Sequence, residues 1–210
     1  MSESKQKICI LNYSTGNYQS ILNAISKLGS NAIISNDKNE IKSSDKLILP
    51  GVGSFKNTLD YIFLNKLDTS ISDFFISGKP ILGICLGMQI LFESGEEGGI
   101  SKGLNFMKGA VKKLPINKNL KCPNIGWNKI ILKSDYKESF LNGVSDKDFF
   151  YFVHSYYIES NDKDLKIYKS KINNFIFPSV IIYKNLYSTQ FHPEKSSKSG
   201  LNILKNFLDL

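Results

Sequence analysis

The chain has 210 residues, of which 41% are hydrophobic and 22% charged, and a formal net charge of +8. That length supports one domain with a substantial core, and the composition is that of a folded globular chain rather than a disordered or fibrous one. No apolar run approaches the roughly 20 residues of a membrane-spanning helix, and Met1-Ser-Glu-Ser-Lys-Gln-Lys7 lacks the apolar stretch of a signal peptide; the expectation is a cytoplasmic protein with no membrane partner.

The cysteines are Cys9, Cys85 and Cys122, and the histidines are His154 and His192. An odd cysteine count without a secretory signal argues against a disulfide framework. The spacing suits no metal site, so neither metal nor cofactor is expected. Every basic residue is lysine. Lys108, Lys112, Lys113, Lys118 and Lys121 cluster locally, but no nucleic-acid motif accompanies them. They read as solvated lysines, and no nucleic-acid partner is expected.

In chain order, Lys7 to Asn12 reads as a buried strand around Ile8-Cys9-Ile10-Leu11. Tyr13 to Asn17 is a turn into a helix whose inward face carries Ile21, Leu22, Ile25 and Leu28, stopped by Gly29. Strands follow at Ala32 to Ser35 and Lys46 to Leu49, the latter ended by Pro50-Gly51-Val52-Gly53. Helices are expected over Ser54 to Phe63 and Asp68 to Ser77, then a strand over Ile81 to Ile84. This alternation implies a parallel sheet with helices on both faces, an α/β fold. From about Gly95 the texture becomes β-rich. Strands are expected at Gly109 to Leu114, Lys129 to Lys133, Phe149 to Ile158, Ile167 to Ser170, Ser179 to Tyr183 and Tyr187 to Phe191. Pro115 to Lys121 reads as a loop, and Ser199 to Leu208 as a closing amphipathic helix. No repeat or linker divides the chain, so residues 1–210 read as one domain.

Pro80 to Glu93 carries the strongest chemical signal. It runs from a buried strand through Gly83-Ile-Cys85-Leu-Gly87 into a helix with Leu86, Ile90 and Leu91 inward. A glycine-flanked nucleophile between strand and helix is an elbow that lifts the side chain clear of the sheet. Unpaired amides and the helix dipole at that point favour a thiolate. A cysteine in an apolar strand is ordinarily inert core, and Cys9 and Cys122 are read so; the glycines set Cys85 apart.

A cysteine nucleophile needs a base, and Gln190-Phe-His-Pro-Glu194 offers one. His192 and Glu194 stand two residues apart at the end of a strand-like run, so both point the same way. Glu194 is then placed to orient the His192 ring in a Cys–His–carboxylate arrangement. Acyl chemistry also needs an oxyanion hole, for which the Leu86 amide and the Pro50 to Gly53 loop are the candidates. His154, within Tyr151-Phe-Val-His-Ser-Tyr156, is expected to line the site.

These segments, with Leu49-Pro-Gly-Val-Gly-Ser-Phe55, Glu96-Glu-Gly-Gly99 and Asn124-Ile-Gly-Trp-Asn128, resemble the class I, triad-type glutamine amidotransferases along essentially the whole chain. Within that class they are most similar to the glutaminase subunits of imidazole glycerol phosphate synthases. The resemblance implies a flavodoxin-like fold with a central, mostly parallel sheet. It implies a Cys85–His192–Glu194 triad that hydrolyses L-glutamine, with Val52, Gly53 and Leu86 at the oxyanion. It implies that Gly51, Gly53, Gln89, Glu97, Ser155 and Tyr156 hold the glutamine. It also implies a heterodimer with a (β/α)₈-barrel cyclase that receives the ammonia, met through Asn12, Gly16, Asn17, Trp127 and Asn128.

Two segments depart from the family pattern. Asn12-Tyr-Ser-Thr-Gly-Asn-Tyr-Gln-Ser20 replaces the usual Asp-Tyr-Gly-x-Gly-Asn-Leu-Arg-Ser, and Pro123-Asn-Ile-Gly-Trp-Asn128 replaces Pro-His-Met-Gly-Trp-Asn. Both lie on the side expected to face the partner. They leave open a paralogous glutaminase that feeds a barrel partner for amidination of a bacterial surface sugar. Two further readings are a stand-alone hydrolase and a catalytically silent regulatory subunit. The intact Cys85, His192 and Glu194 weigh against the silent one.

Overall fold

The computed structural model describes residues 6–13, 18–51, 53–115, 122–132 and 138–210. Four short apolar runs form β1 (Ile8–Leu11), β2 (Ala32–Ser35), β3 (Lys46–Leu49) and β4 (Ile81–Ile84). Near-continuous hydrophobicity suits strands covered on both faces. With β9 (Ile130–Ile131), β12 (Lys166–Ile172), β13 (Phe175–Tyr183) and β14 (Leu186–Thr189) they form, among the described residues, an eight-stranded sheet ordered β2-β1-β3-β4-β14-β13-β12-β9. The first five strands are parallel and the last three join antiparallel. The order β2-β1-β3-β4-β14 is the flavodoxin-like arrangement.

Alternation along each strand supplies two cores. Ile8, Ile10, Ile48, Leu82 and Ile84 pack against α1 (Gln19–Lys27) and α6 (Ser197–Leu208). Cys9, Leu11, Leu47, Leu49 and Ile81 face α2 (Lys38–Ser43), α3 (Phe55–Leu64) and α4 (Leu67–Ile76). None of the described helices is long and apolar enough to cross a membrane.

Several elements differ from the sequence expectation. Helix α2 was not expected; Asp37 caps it by accepting from the Asn39 and Glu40 amides at 2.8 and 2.9 Å, and Ile41 alone is buried on its inner side. Helix α5 is a single turn, Leu86–Gln89. The Ile90 carbonyl accepts from Leu104 and the Leu91 carbonyl from Phe106, so the chain leaves the helix and enters β5 (Phe92–Gly95). The dipole expected to favour a Cys85 thiolate is correspondingly small.

The strand expected over Phe149 to Ile158 breaks at Ser155 into β10 (Phe150–His154) and β11 (Tyr156–Glu159). Buried His154 bridges the break with Nδ1 2.7 Å from the Tyr156 carbonyl, and Ser155 O accepts from Leu114 N. Strand β11 joins β7 (Met107–Lys113), β5 and β6 (Ser101–Lys102) in a four-stranded sheet. Strand β10 instead pairs antiparallel with β8 (Asn124–Asn128). The Gly126-Trp127-Asn128 segment, outside every strand expected from the sequence, is therefore a strand. Trp127 lies opposite Tyr151, their ring centres 5.7 Å apart in an edge-on contact. Strand β13 begins four residues before Ser179 because a register shift after Tyr168 accommodates Pro178 inside the pair.

Candidate active site

Cys85 sits at the junction of β4 and α5 with φ 50° and ψ −104°. A non-glycine residue there is strained, at about 1–3 kcal/mol. The sheet imposes that geometry: the Cys85 amide donates to Thr189 O at 2.6 Å, continuing the β4–β14 pairing in which Ile84 lies opposite Thr189. The elbow also packs backbone against backbone. A Cβ on Gly87 would run into the Leu49 carbonyl, and one on Gly51 would lie 2.8 Å from the Cys85 Cβ and 3.0 Å from His192 Cε1.

Because β14 is the immediate parallel neighbour of β4, the chain beyond Thr189 emerges beside Cys85. His192 follows there, 5% exposed. Its amide donates to Tyr151 O, its Nδ1 lies 2.8 Å from Glu194 Oε1, and its ring shares with Cys85 the space beside Gly51 and interacts electrostatically with the thiol. Pro193 begins a short 3₁₀ turn that holds Glu194 under the ring. Burial works against the charged imidazole, but the Cys85 and Glu194 contacts outweigh it and hold the His192 pKa up at about 10. Sulfur, imidazole and carboxylate thus form a buried line at the carboxyl end of the parallel strands.

Residues 9–210 match the family described as glutamine amidotransferase class-I. The chain belongs to this family. It is 45% identical over 200 residues to the imidazole glycerol phosphate synthase subunit HisH of Caldanaerobacter subterraneus subsp. tengcongensis, covering 95% of this chain and 96% of that protein. It is 41% identical over 205 residues to the subunit of the same name from Methanosarcina barkeri, covering 98% and 99%. In fold it is similar to the crystal structure of a glutamine amidotransferase from Thermotoga maritima, with a TM-score of 0.64 at 15% identity over 99% of this chain and 84% of the other.

The other residues expected in this amidotransferase fall into three groups. Gly51, Gly53, Leu86 and Gln89 stand around the Cys85 elbow or on the loop beside it. As the first residue of α5, Leu86 has no acceptor for its amide within the helix. Glu97 reaches the same loop from the far side: its Oε2 accepts from the Phe55 amide at 2.6 Å, just past Gly53. Ser155 and Tyr156 lie at the β10–β11 break, where the Tyr156 carbonyl accepts from Gln89 Nε2 at 3.2 Å. Asn12 follows β1 and accepts from the Tyr18 hydroxyl. Trp127 and Asn128 lie on β8. Val52, Gly16 and Asn17, like Lys118 and Lys121, fall outside the described residues. Cys9 is fully buried and its thiol is pushed up to about 11 by desolvation, as an inert core residue should be. Cys122 is half-buried, its sulfur 3.7 Å from the Ser155 carbonyl.

One close neighbour of the sulfur was not singled out from the sequence. Gln190, fully buried, places Nε2 3.5 Å from Cys85 Sγ. The one signal for it in the sequence is its position two residues before His192 in the same segment.

The two buried histidines respond oppositely to pH. His154 is desolvated and faces the His192 charge, and its pKa falls to about 4 despite the bond to Tyr156 O. A group depressed in this way takes up protons in the unfolded chain first, so its contribution is full above about 6.5 and is lost as pH falls towards 4. The raised His192 contributes fully below about 6.5, and that contribution is lost as pH rises through about 10. Thermal midpoints should therefore fall by roughly 5–10 °C between pH 7 and pH 4, and by less in His154→Gln. Equal acid sensitivity of the two proteins would remove His154 as the cause.

Proposed function

We propose that this amidotransferase is the glutaminase subunit of an imidazole glycerol phosphate synthase, with residues 1–210 acting as a single domain. The carrying observation is the buried Cys85–His192–Glu194 line, with His192 Nδ1 2.8 Å from Glu194 Oε1. The Cys85 thiolate attacks the side-chain carbonyl carbon of L-glutamine. Negative charge gathers on the carbonyl oxygen, where the Leu86 amide and the peptide between Val52 and Gly53 receive it. The His192 imidazolium gives its proton to the amide nitrogen, the C–N bond breaks and ammonia leaves, with a thioester on Cys85. His192 then takes a proton from water, which attacks the thioester; the C–S bond breaks, releasing glutamate and restoring the Cys85 thiolate beside the His192 imidazolium. Glu194 keeps the ring oriented and balances its charge through both steps. Gly51, Gly53, Gln89, Glu97, Ser155 and Tyr156 hold the substrate.

The partner in this reading is a (β/α)₈-barrel cyclase that consumes the ammonia in histidine biosynthesis, in the cytoplasm. Three observations support a partner on the active-site side. Ile125 and Trp127 on β8 are 61% and 49% exposed beside Tyr151 and Val153 of β10. The carbonyl of Val153 in that ribbon lies 3.9 Å from Cys85 Sγ. Tyr13, which adjoins Asn12, is buried and donates its hydroxyl to Pro50 O at 2.7 Å. The oxyanion loop is thus fastened at Pro50 by Tyr13 and at Phe55 by Glu97. Glycines flank the peptide between them, which suits a segment that reorients when the partner is engaged.

Labelling with the diazo-ketone analogue of glutamine tests the reading. Cys85 should be alkylated in the complex, and failure there would remove the enzyme assignment. Rapid turnover without any partner would favour a stand-alone hydrolase. Trp127→Ala should weaken the complex at least tenfold, the loss typical of an aromatic anchor, with little change in the melting temperature of the free chain. A lower melting temperature with unchanged partner affinity would make Trp127 structural only.

A further inference from the structure

A run of buried polar groups ends on the nucleophile, and its direction can be fixed from one end. Tyr156 O is a backbone carbonyl and can only accept. The Gln89 atom 3.2 Å from it must therefore be Nε2, and the His154 atom 2.7 Å from it must be a protonated Nδ1. His154 Nε2 is then free to accept from Asn124 Nδ2 at 2.9 Å. The second hydrogen of Gln89 Nε2 points at the Gln190 side chain at 3.0 Å, so the facing atom is Gln190 Oε1. That leaves Gln190 Nε2, and with it an N–H, turned to Cys85 Sγ at 3.5 Å. Gln89 and Gln190 are 4% and 0% exposed, so no bulk water competes for these bonds.

We infer that Gln190 is a catalytic residue of this site, the amide donor that holds the Cys85 sulfur towards His192 and stabilises its thiolate. The inference rests on Cys85 being the nucleophile. An N–H donated to a charged sulfur favours the charged form, and the protein supplies it in fixed orientation before substrate arrives. The one-turn α5 makes the donor more necessary, because it brings little dipole. The assignment also gives Gln89 a second part: it locks the Gln190 amide the right way round, and Tyr156 O locks Gln89.

The test is the pH profile of Cys85 alkylation by iodoacetamide in the full-length chain, read by peptide mass spectrometry so that Cys9 and Cys122 are counted apart. Gln190→Met keeps the length and removes the donor. Gln190→Glu keeps the shape and puts a carboxylate beside the sulfur. The alkylation midpoint should rise by about one pH unit or more in the Met variant and further in the Glu variant. In the complex, kcat for glutamine should fall with KM nearly unchanged, while ammonia-dependent turnover persists. Midpoints in either folded variant that coincide with the parent chain would overturn the role of Gln190. If the parent chain itself is not labelled at Cys85 by the glutamine analogue in the complex, the failure lies with the nucleophile assignment instead. A variant whose melting temperature collapses or that no longer binds the partner has lost its fold, and the other variant then decides.

Discussion

Cys85→Ala lowers glutamine-dependent turnover of the complex by more than about 10,000-fold, the scale on which loss of a nucleophile is felt, and leaves ammonia-dependent turnover close to that of the parent. The expectation follows from the division of labour in the site. In the proposed function Cys85, His192 and Glu194 act only on the amide donor, and the acceptor chemistry is assigned to the partner. Alanine introduces no clash, since it is smaller than cysteine and keeps the same Cβ in the cluster that Cys85 joins. The backbone strain at φ 50° stays, because alanine keeps the Cβ that causes it. Steady-state rates with glutamine and with ammonium salts, measured on the same preparation, separate the outcomes. Loss of both activities would make Cys85 a structural residue, and retention of both would place the nucleophile elsewhere.

Gly87→Ala should be among the most damaging small substitutions for the fold. The added Cβ meets the Leu49 carbonyl carbon and oxygen, which are backbone of a central strand and cannot rotate away. Overpacking against a yielding side chain costs about 1–3 kcal/mol; against two backbone segments the cost should reach or exceed the top of that range. For a domain of this size that corresponds to a fall in melting temperature of roughly 10 °C or failure to accumulate folded protein. By contrast, a Cβ on Gly98 meets nothing within 4 Å, so Gly98→Ala serves as the control. Its left-handed backbone, φ 72°, still carries the usual strain of about 1 kcal/mol. Melting curves that rank Gly87→Ala no lower than Gly98→Ala would contradict the close approach.

Where hydrophobic pattern and backbone demand coincided, the chain was legible. Strands β2, β3 and β4 lie where their short apolar runs placed them, although β2 is at the sheet edge and leaves Ile34 exposed. The nearness of Cys85, His192 and Glu194 was expected from the elbow glycines and from a two-residue strand period, but the strand ends at Thr189 and it is the 3₁₀ turn over Pro193–Lys195 that brings Glu194 to the ring. Long-range contacts overrode local ones elsewhere. Ile90 and Leu91 look helical from spacing, yet residues 104–107 claim their carbonyls and end α5. Trp127 lay outside every expected strand, because its pairing with Tyr151 depends on a distant strand that no local pattern reveals. Gln190 escaped notice for a third reason. A glutamine carries no charge and no perturbed titration to mark it, and only its two hydrogen bonds disclose its place.

The placement of β14 between β4 and β13 has a consequence for how the protein is made. Cys85 and Gln190 meet although they are 105 positions apart in the chain, and His192 lies further still. A ribosome delivers β1 to β4 and the thiol early, but the neighbouring slot in the sheet stays open until β12, β13 and β14 have emerged and folded back. Until then the thiol has no base, no carboxylate behind the base and no amide donor. On the proposed roles of these residues, glutamine-splitting competence appears in one late step, with the last strand. A nascent or truncated chain holds a harmless cysteine rather than an unregulated consumer of glutamine.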